Sequence, residues 1–408
     1  MADASDTGRR SLSTLIYDEK FRGTVFQILV GVALIAFVWW VVGNTLDNLN
    51  EQDKKSGFGF LDQTASFQIL SSLGTSLVDY KAGVSTYWDV FVLGVINTLA
   101  VALVGIILAT IIGFLMGVMR LSKNAVFNGF ATVYVELLRN IPLLLQIFFW
   151  YFFVLRALPS KRDKLELVGE NFAINITGLY GPQPIPQDGF RWTMFALLAA
   201  FFIIWAIAKF AKKRQEATGK RLPVFWISIA TLIGLPLIVH LFNGSPLMWD
   251  MPVFKESGPV LRRGFQQSGM VIKPEMIALT LALSLYTASF IAEIVRAGIL
   301  AVPHGQTEAS SALGIKSSNT LQLVVIPQAM RVIIPPLTSQ YLNITKNSSL
   351  AVAIAYPDIV SVFAGTALNQ VGQEIEMIFM MMTVYLVLSV SMSTLMNWFN
   401  NRMRLVER

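Results

Sequence analysis

Long, mainly apolar stretches constrain this chain more than any other feature of its sequence. Hydrophobic residues occupy 54% and charged residues only 14% of its 408 positions, whereas a soluble domain has roughly 25% charged residues. A helix that crosses a membrane needs about 20 mainly apolar residues. Candidate spans, in order, are Val25–Gly43, Val90–Met119, Ile141–Leu155, Trp192–Ala208, Leu222–Phe242, Met276–Ile299, Pro336–Tyr356 and Met377–Trp398. The sequence therefore predicts an all-α polytopic membrane protein with about eight transmembrane helices.

The residue types of the chain exclude several kinds of chemistry. It has no cysteine, so disulfides, thiol catalysis and cysteine-based metal sites are excluded. Its two histidines, His240 and His304, lie far apart in the sequence, and we predict no metal site. The ATPase pattern Gly-x-x-x-x-Gly-Lys-Ser/Thr is missing, since the one Gly-Lys pair, Gly219-Lys220, is followed by Arg221. We therefore predict a chain without catalytic residues or a cofactor of its own.

The distribution of positive charge predicts the orientation of the spans, because inner loops collect Lys and Arg. The densest basic cluster lies between Lys209 and Arg221, after the fourth span. Placing this cluster in the cytoplasm also puts both termini and the loop 301–335 there. The same bias accounts for the net charge of +7 without nucleic-acid binding. The outer loops after the third and fifth spans carry Lys and Arg against this scheme, but orientation follows the summed bias.

The polar residues within the spans predict the organisation of the chain. They concentrate in the second, third, sixth, seventh and eighth spans, which we interpret as a five-helix core interrupted by an insertion. Pro159–Gly189 and Asn243–Gly269, which flank the inserted spans four and five, are predicted to be loops from their Gly and Pro content. The predicted segments are an N-terminus 1–24, an extra first span and outer loop 25–89, core spans 90–155, the insertion 156–273, and core spans 274–408 with the inner loop 301–335.

The inner loop 301–335 has the features of a compact docking element. Pro303 and Thr307 can start a helix, and Gly314 can end it in the left-handed conformation. Ser317 or Ser318 can cap a second short helix, which Pro327 would limit. Composition alone favours an ordinary connector between two spans over a docking element.

Several segments of the chain carry a family resemblance. The loop segment Glu308–Gly314, closed by Val324–Pro327, resembles the EAA loop of bacterial ABC-importer permeases, although Ser310, Val324 and Ile326 replace the usual Ala, Ile and Leu. Other segments are similar to the polar amino-acid (histidine/glutamine-type) ABC permeases: Asn97–Leu99, Val135–Leu144, Tyr286–Gly298 and Tyr341–Leu350. The first span and the insertion are similar to the Q-type permease subunit of a general L-amino-acid ABC transporter.

This resemblance implies the type I transmembrane fold of ABC importers and a role as an inner-membrane amino-acid permease subunit. It implies separate ATPase subunits that bind ATP and Mg, a second homologous permease, a periplasmic amino-acid-binding protein, and surrounding membrane lipid. Docking on the ATPase would use Glu308, Ala309, Ser310, Ala312, Leu313, Gly314 and Pro327.

An ion-coupled secondary amino-acid transporter is the alternative. Such a protein would place paired charges at the membrane midplane within an inverted repeat. The sequence contains no second copy of the unit, and its inner loop has the pattern of a docking element. We therefore prefer the ABC importer.

Charged residues within the spans are candidates for function, because a charge at the bilayer centre costs at least about 2.5–3.5 kcal/mol. Glu293 and Arg296 lie near the inner boundary and are spaced to form a structural ion pair on one helix face. Lys346 lies about 15 Å into the seventh span at 1.5 Å per residue, which makes it a site candidate. Glu136 and Arg139 precede a break at Pro142 and either pair with each other or contact substrate.

A zwitterionic amino acid needs a cationic place for its carboxylate and an acceptor for its ammonium group. The polar residues of the sixth and seventh spans can line such a path, together with Glu136 and Arg139. Hydrogen bonds between helices are the alternative use of the same small polar side chains. The candidates in these two spans are Ser284, Thr287, Ser289, Asn343, Thr345, Lys346 and Asn347.

Overall fold

Helices dominate the computed structural model, which describes residues 19–51, 57–169, 171–219, 222–256, 263–266 and 268–403. Most of the predicted N-terminal segment 1–24 and the basic positions 220, 221, 404 and 408 lie outside the described residues.

The first part of the chain is helical. Its helices are α1 (Glu19–Glu51), α2 (Leu73–Val78), α3 (Tyr87–Met119), α4 (Ala125–Asn140) and α5 (Leu143–Phe148), after which the chain continues as a π-helix (Phe149–Val154) and a 3-10 turn (Leu155–Ala157).

The described residues of the insertion form two long helices and eight short strands. These are β1 (Leu165–Val168), β2 (Phe172–Asn175), β3 (Gly178–Gly181), β4 (Gln183–Pro186), α6 (Phe190–Thr218), α7 (Val224–Phe242), β5 (Leu247–Asp250), β6 (Phe254–Lys255), β7 (Gly264–Phe265) and β8 (Met270–Ile272).

The last part completes the core. It comprises α8 (Pro274–Leu300), α9 (His304–Ala312), α10 (Ser317–Thr320), a π-helix (Leu321–Val325), α11 (Ile326–Asn347), a 3-10 helix (Ser348–Ile354), a π-helix (Val360–Ala367), α12 (Leu368–Val371) and α13 (Glu374–Met403).

The number of helices able to cross a membrane agrees with the prediction. Within the described residues, seven helices are long and apolar enough, and the bent pair formed by α4 and the helical segment 143–157 makes an eighth if it counts as one span. Length and composition therefore confirm a polytopic helical membrane protein with about eight spans.

The third span differs from its predicted form. The prediction of a single stretch, Ile141–Leu155, misses α4, which precedes it and meets it at an angle of 107°. Pro142 causes the break, because the residue before a proline is driven out of the helical region. Ile141 accordingly adopts φ −98° and ψ 127°.

The seventh span begins earlier than predicted. Helical structure is continuous from Ser317 to Ile354, so the predicted range Pro336–Tyr356 is wrong at its start, and the second half of the predicted inner loop 301–335 is helical. Pro327 does not limit this helix. It lies in the first turn of α11, where a missing N–H breaks no hydrogen bond, and the π-helix before it accommodates the change.

Beyond Ile354 the chain leaves the helix within the protein interior. Ala355 takes the left-handed conformation with φ 56°, and the next three residues are buried. The Asn97 side chain of α3 donates to the Pro357 carbonyl at 2.7 Å, and Thr98 Oγ1 accepts from the Ile359 amide at 3.1 Å. The connection between the predicted seventh and eighth spans therefore begins as buried structure packed on α3.

Close contact between α3 and α8 forms the centre of the core. A Cβ atom added at Gly113 would lie 2.6 Å from the Ile291 side chain, and one added at Gly117 would lie 2.7 Å from the Ala292 carbonyl oxygen. Only glycine permits backbones to approach this closely. α11 packs against both α8 and α13, so α8 is enclosed by helices on several sides.

The two segments that flank spans four and five were predicted to be loops, but they contain strands. β1, β2, β3 and β8 form an antiparallel four-stranded sheet, and the pairs β4–β5 and β6–β7 form two more. The sheet joins the two flanking segments, since Leu179 pairs with Ile272. Composition missed it because the prolines Pro184 and Pro186 lie in a two-stranded pair, where a strand edge tolerates them. Pairing between distant segments has no local signal.

We predict that Asn97→Ala destabilises the protein, because the buried Asn97 side chain bonds to the segment that follows Ile354. Its amide nitrogen donates to Ser72 Oγ and the Pro357 carbonyl, and its oxygen accepts from the Gly74 amide. Loss of these bonds should lower the free energy of unfolding by about 1–3 kcal/mol. Thermal unfolding in lipid nanodiscs measures the effect. Asn369→Ala, at an exposed asparagine, is the control and should change the melting temperature little; equal effects of the two would contradict the assignment.

Candidate coupling helix and intramembrane polar site

The short helix α9 is built as its sequence predicts. It runs from His304 to Ala312 after Pro303, and Gly314 has φ 69°. The amides of Gly314 and Ile315 donate to the carbonyls of Ser311 and Ser310, both at 3.0 Å. This pair of bonds is the Schellman motif, which satisfies the last carbonyls of a helix and needs a left-handed residue at this position.

The exposed surface of α9 is suited to contact with another protein. Ser310 is buried and donates to the Gln306 carbonyl at 2.8 Å, so one face is held against the chain. Ala309 and Ala312 are exposed, and Leu313 has 78% of its surface exposed. Glu308 is also exposed and lies 2.9 Å from His304 Nδ1. Small side chains beside an uncovered leucine permit close approach of a partner.

A polar stripe runs along α11. Ser339, Asn343 and Lys346 are all exposed, and their spacing of four and three residues puts them on one helix face. The exposed face of α3 is instead apolar, with Leu103, Ile107, Ile111 and Leu115. Lipid can cover the face of α3, whereas the stripe on α11 requires water or a polar partner.

Packing against α3 shows where along that helix the polar stripe lies. A Cβ atom added at Gly105, near the middle of α3, would lie 3.3 Å from Ile344, and Thr110 Oγ1 lies 2.8 Å from the Tyr341 hydroxyl. Lys346 therefore lies level with the middle of α3, although its predicted distance was counted from a later start of the helix. The described residues provide it with no ion pair.

The other polar candidates on α8 and α11 are mostly buried. Ser284 donates to the Thr280 carbonyl at 2.5 Å, Ser289 to the Tyr286 carbonyl at 2.6 Å, and Thr345 to the Tyr341 carbonyl at 3.0 Å. Thr287 is buried as well. Ser284 also lies 3.5 Å from the Gly105 carbonyl of α3, and these buried side chains do not share the exposed surface of Lys346. Asn347 is half-buried next to the stripe.

Charged residues cluster where α3, α4 and α8 meet at the end that leads to α9. Glu293 contacts Arg296 at 2.8 Å and also forms an ion pair with Arg120 at the end of α3. The predicted spacing of Glu293 and Arg296 thus gives a contact within α8. Arg120, which the sequence analysis did not identify, extends this pair to a second helix.

Glu136 and Arg139 occupy the same cluster rather than the polar stripe. The Glu136 carboxylate lies 3.8 Å from Arg120 Nη2, and the Arg139 guanidinium lies 5.1 Å from the centre of the Phe290 ring. Neither contact joins the two residues, so the predicted pairing between them is not formed. The bend at Ile141-Pro142 separates α4 from the rest of the third span, and this geometry directs both side chains to α3 and α8.

Two buried residues were missed by the sequence analysis as contributors to the core. Asp358 is buried, and its Oδ1 accepts from the Ser361 amide at 2.8 Å, which caps the following helical segment. Gln146 donates to the carbonyls of Leu138 and Ile141 across the bend. The apolar run after Pro357 was an available signal for a buried helix. The described residues contain no group of three or more His, Asp or Glu positioned to hold a metal ion.

These features define a polytopic helical membrane protein with a short, exposed helix between two of its spans. A family model described as the binding-protein-dependent transport system inner membrane component matches residues 217–405. The chain is 50% identical to the general L-amino acid transport system permease protein AapQ of Rhizobium johnstonii, over 98% of this chain and 96% of that one.

Two further relatives extend this result. The putative amino-acid ABC transporter permease protein YhdX of Escherichia coli is 49% identical, and the glutamate/glutamine/aspartate/asparagine transport system permease protein BztB of Rhodobacter capsulatus is 37% identical, each over the full length of both chains. The chain belongs to the amino-acid permease family of ABC importers and is a permease subunit. The comparisons give no support to the ion-coupled alternative.

We predict that Glu293→Gln destabilises the protein more than Glu136→Gln. Glu293 binds two guanidinium groups and is largely covered, so its neutralisation should lower the free energy of unfolding by about 1–3 kcal/mol. Glu136 has 58% of its side chain exposed, and its loss should change the stability by less than about 1 kcal/mol. Thermal unfolding of both variants in nanodiscs measures the difference. Equal melting temperatures would contradict the central position of Glu293.

Proposed function

We propose that this chain forms half of a translocation path for L-amino acids across the bacterial inner membrane. The observation that carries the proposal is the polar stripe on α11, since Lys346, Asn343 and Ser339 are exposed in the single chain, level with the middle of α3. A stripe of this kind cannot face lipid without a large penalty. A second, homologous permease opposite α11 would enclose it and complete a water-filled path.

The chemistry of the stripe fits a zwitterionic substrate. The Lys346 ammonium can bind the substrate carboxylate, and the amides of Asn343 and Asn347 can donate and accept hydrogen bonds. We assign substrate contact to these residues. Ser284, Thr287, Ser289 and Thr345 have a structural role in this proposal, because their side chains are buried in the core. Glu136 and Arg139 are assigned to the charged cluster with Arg120.

The remaining parts of the importer are separate proteins in this proposal. Two ATPase subunits bind ATP and Mg and dock on α9 through Glu308, Ala309, Ala312 and Leu313, while Ser310, Gly314 and Pro327 maintain the shape of the segment. A periplasmic amino-acid-binding protein delivers the substrate. Both termini of the chain lie in the cytoplasm. The relatives named for amino-acid transport support the substrate class.

Copurification and transport assays test this function. The chain, isolated from membranes with its associated subunits, should contain an ATPase and a second permease. After reconstitution it should take up L-amino acids only with ATP and the binding protein. Lys346→Gln should lower the rate of uptake at least about tenfold if the charged contact is lost, with an unchanged melting temperature. Uptake by the single chain driven by an ion gradient would exclude the proposal.

A pair of glycine substitutions tests the coupling helix. Gly314→Ala places a side chain at φ 69°, which strains the end of α9 by roughly 1 kcal/mol and should weaken ATPase copurification. Gly305→Ala is the matched control, because an added Cβ there meets nothing within 4 Å and the backbone is not left-handed. Glu308→Lys should also reduce ATPase binding through reversed charge. Normal ATPase copurification with both Gly314→Ala and Glu308→Lys would exclude α9 as the docking element.

A further inference from the structure

A polar cavity lies at the opposite end of α8 from the coupling helix. Its volume is about 350 Å³, and its lining residues are Tyr151, Leu155, Arg156, Ile176, Pro274 and Glu275. The cavity is bounded by the end of the third span, the first turn of α8, and the turn between β2 and β3 of the inserted sheet. The charge pattern places this end of α8 on the outer side of the membrane.

Glu275 gives this cavity a buried carboxylate with unused hydrogen-bonding capacity. Only 9% of the residue surface is exposed. Its Oε1 accepts from the Tyr151 hydroxyl at 2.9 Å, whereas its Oε2 has no hydrogen-bond partner in the part of the chain that the structure describes. A carboxylate can accept about four hydrogen bonds, and leaving one oxygen buried without a partner is unfavourable. A cationic group in the cavity would satisfy it.

Arg156 supplies the opposite charge to the same cavity. Its guanidinium lies over the Phe152 ring, 5.2 Å from the centroid, and the residue is exposed. No carboxylate among the described residues forms an ion pair with Arg156, including Glu275. The cavity therefore holds one positive and one negative group that do not neutralise each other.

The local backbone positions these groups. Tyr151 lies on the π-helix Phe149–Val154, and single turns of π-helix occur frequently at functional sites because they redirect side chains. Glu275 lies in the first turn of α8, directly after Pro274. Arg156 lies on the 3-10 turn Leu155–Ala157 that follows the π-helix, so the end of the third span and the start of α8 each contribute one charged side chain.

We propose that this cavity is an outer reception site for a zwitterionic amino acid. The ligand carboxylate binds the Arg156 guanidinium, and the ligand ammonium group binds the Glu275 carboxylate beside Tyr151. The volume accommodates an amino acid together with several waters. The site lies beneath the inserted sheet, so an amino acid released above the permease meets it before it reaches the stripe on α11. The inference rests on the proposed function for its ligand class.

Thiol protection tests this site, because the chain has no cysteine of its own. I176C places one thiol at the rim of the cavity, and V168C places one on the exposed strand β1 as a control. The transporter is isolated with the subunits that copurify with it, embedded in nanodiscs and labelled with a membrane-impermeant maleimide. L-glutamine should slow labelling of I176C in a saturable way and leave the labelling rate of V168C unchanged.

The charge requirements are tested with analogues of L-glutamine that carry only one of its two charged groups. L-glutaminamide has the ammonium group without the carboxylate, and N-acetyl-L-glutamine has the carboxylate without the ammonium group. Each should need at least about tenfold higher concentrations than L-glutamine for half-protection. Because these measurements use I176C alone, they do not depend on folding of charge variants. Equal protection by either analogue would overturn the proposal.

Charge variants then identify the residues that bind. E275Q and R156Q, each combined with I176C, should raise the half-protecting concentration of L-glutamine by at least about tenfold. E166Q and R263Q are matched controls, because both residues belong to the insertion and have ion pairs elsewhere. Absence of protection in I176C, or protection that persists in E275Q and R156Q, would overturn the site.

Failure of this site and failure of the proposed function give different results. If the chain is an amino-acid permease without this site, ATP-dependent uptake proceeds while L-glutamine does not protect I176C. If the proposed function fails, uptake is absent in the unmodified transporter. The protection experiment reports on ligand binding in either case.

Discussion

The structure depends on the demand that every backbone polar group be satisfied within the membrane. Helices meet this demand along most of the chain, but the seventh span ends at Ile354 and the next helical segment begins at Val360. Asn97 and Thr98 of α3 bind the Pro357 carbonyl and the Ile359 amide, and thereby satisfy polar groups of the irregular backbone between the two. The same helix α3 packs against α11 through Gly105 and Thr110, so it supports both the irregular segment and the helix that bears the polar stripe.

Close packing connects the two ends of the molecule. α8 contacts α3 through glycines, bears Glu293 and Arg296 near one end, and begins with Glu275 at the other. α9 follows α8 after three residues. A movement of α9 would therefore act first on the helix that contacts α3, α4 and α11. Two discrete arrangements of such packed helices are the physical basis by which a distant event changes access to a path.

Local sequence signals predicted those parts of the fold that local physics determines. The apolar stretches predicted the number of spans, and Gly314 predicted the end of α9, because burial in lipid and a left-handed residue are properties of short segments. The start of the seventh span was wrong, because the polar residues before Pro336 are helical through packing against α8. The closure of the inserted sheet was missed because β3 pairs with the distant strand β8, as Leu179 does with Ile272.

In the candidate site, too, some features follow from the local sequence and others from tertiary packing. Composition and spacing identified Lys346, Asn343, Glu293 and the α9 segment as polar residues in an apolar chain, since an intramembrane charge is unusual wherever it lies. The residues that these side chains contact are determined by tertiary packing. Glu136 joins Arg120 instead of Arg139, the serines of α8 bond to their own helix, and Glu275 meets Tyr151 and Arg156 in one cavity. The sequence by itself determined a polytopic membrane protein through its hydrophobicity, and its resemblance to amino-acid ABC permeases gave the family and the short helix between two spans. The tertiary structure alone decided which polar groups share a surface, because that depends on how distant helices pack.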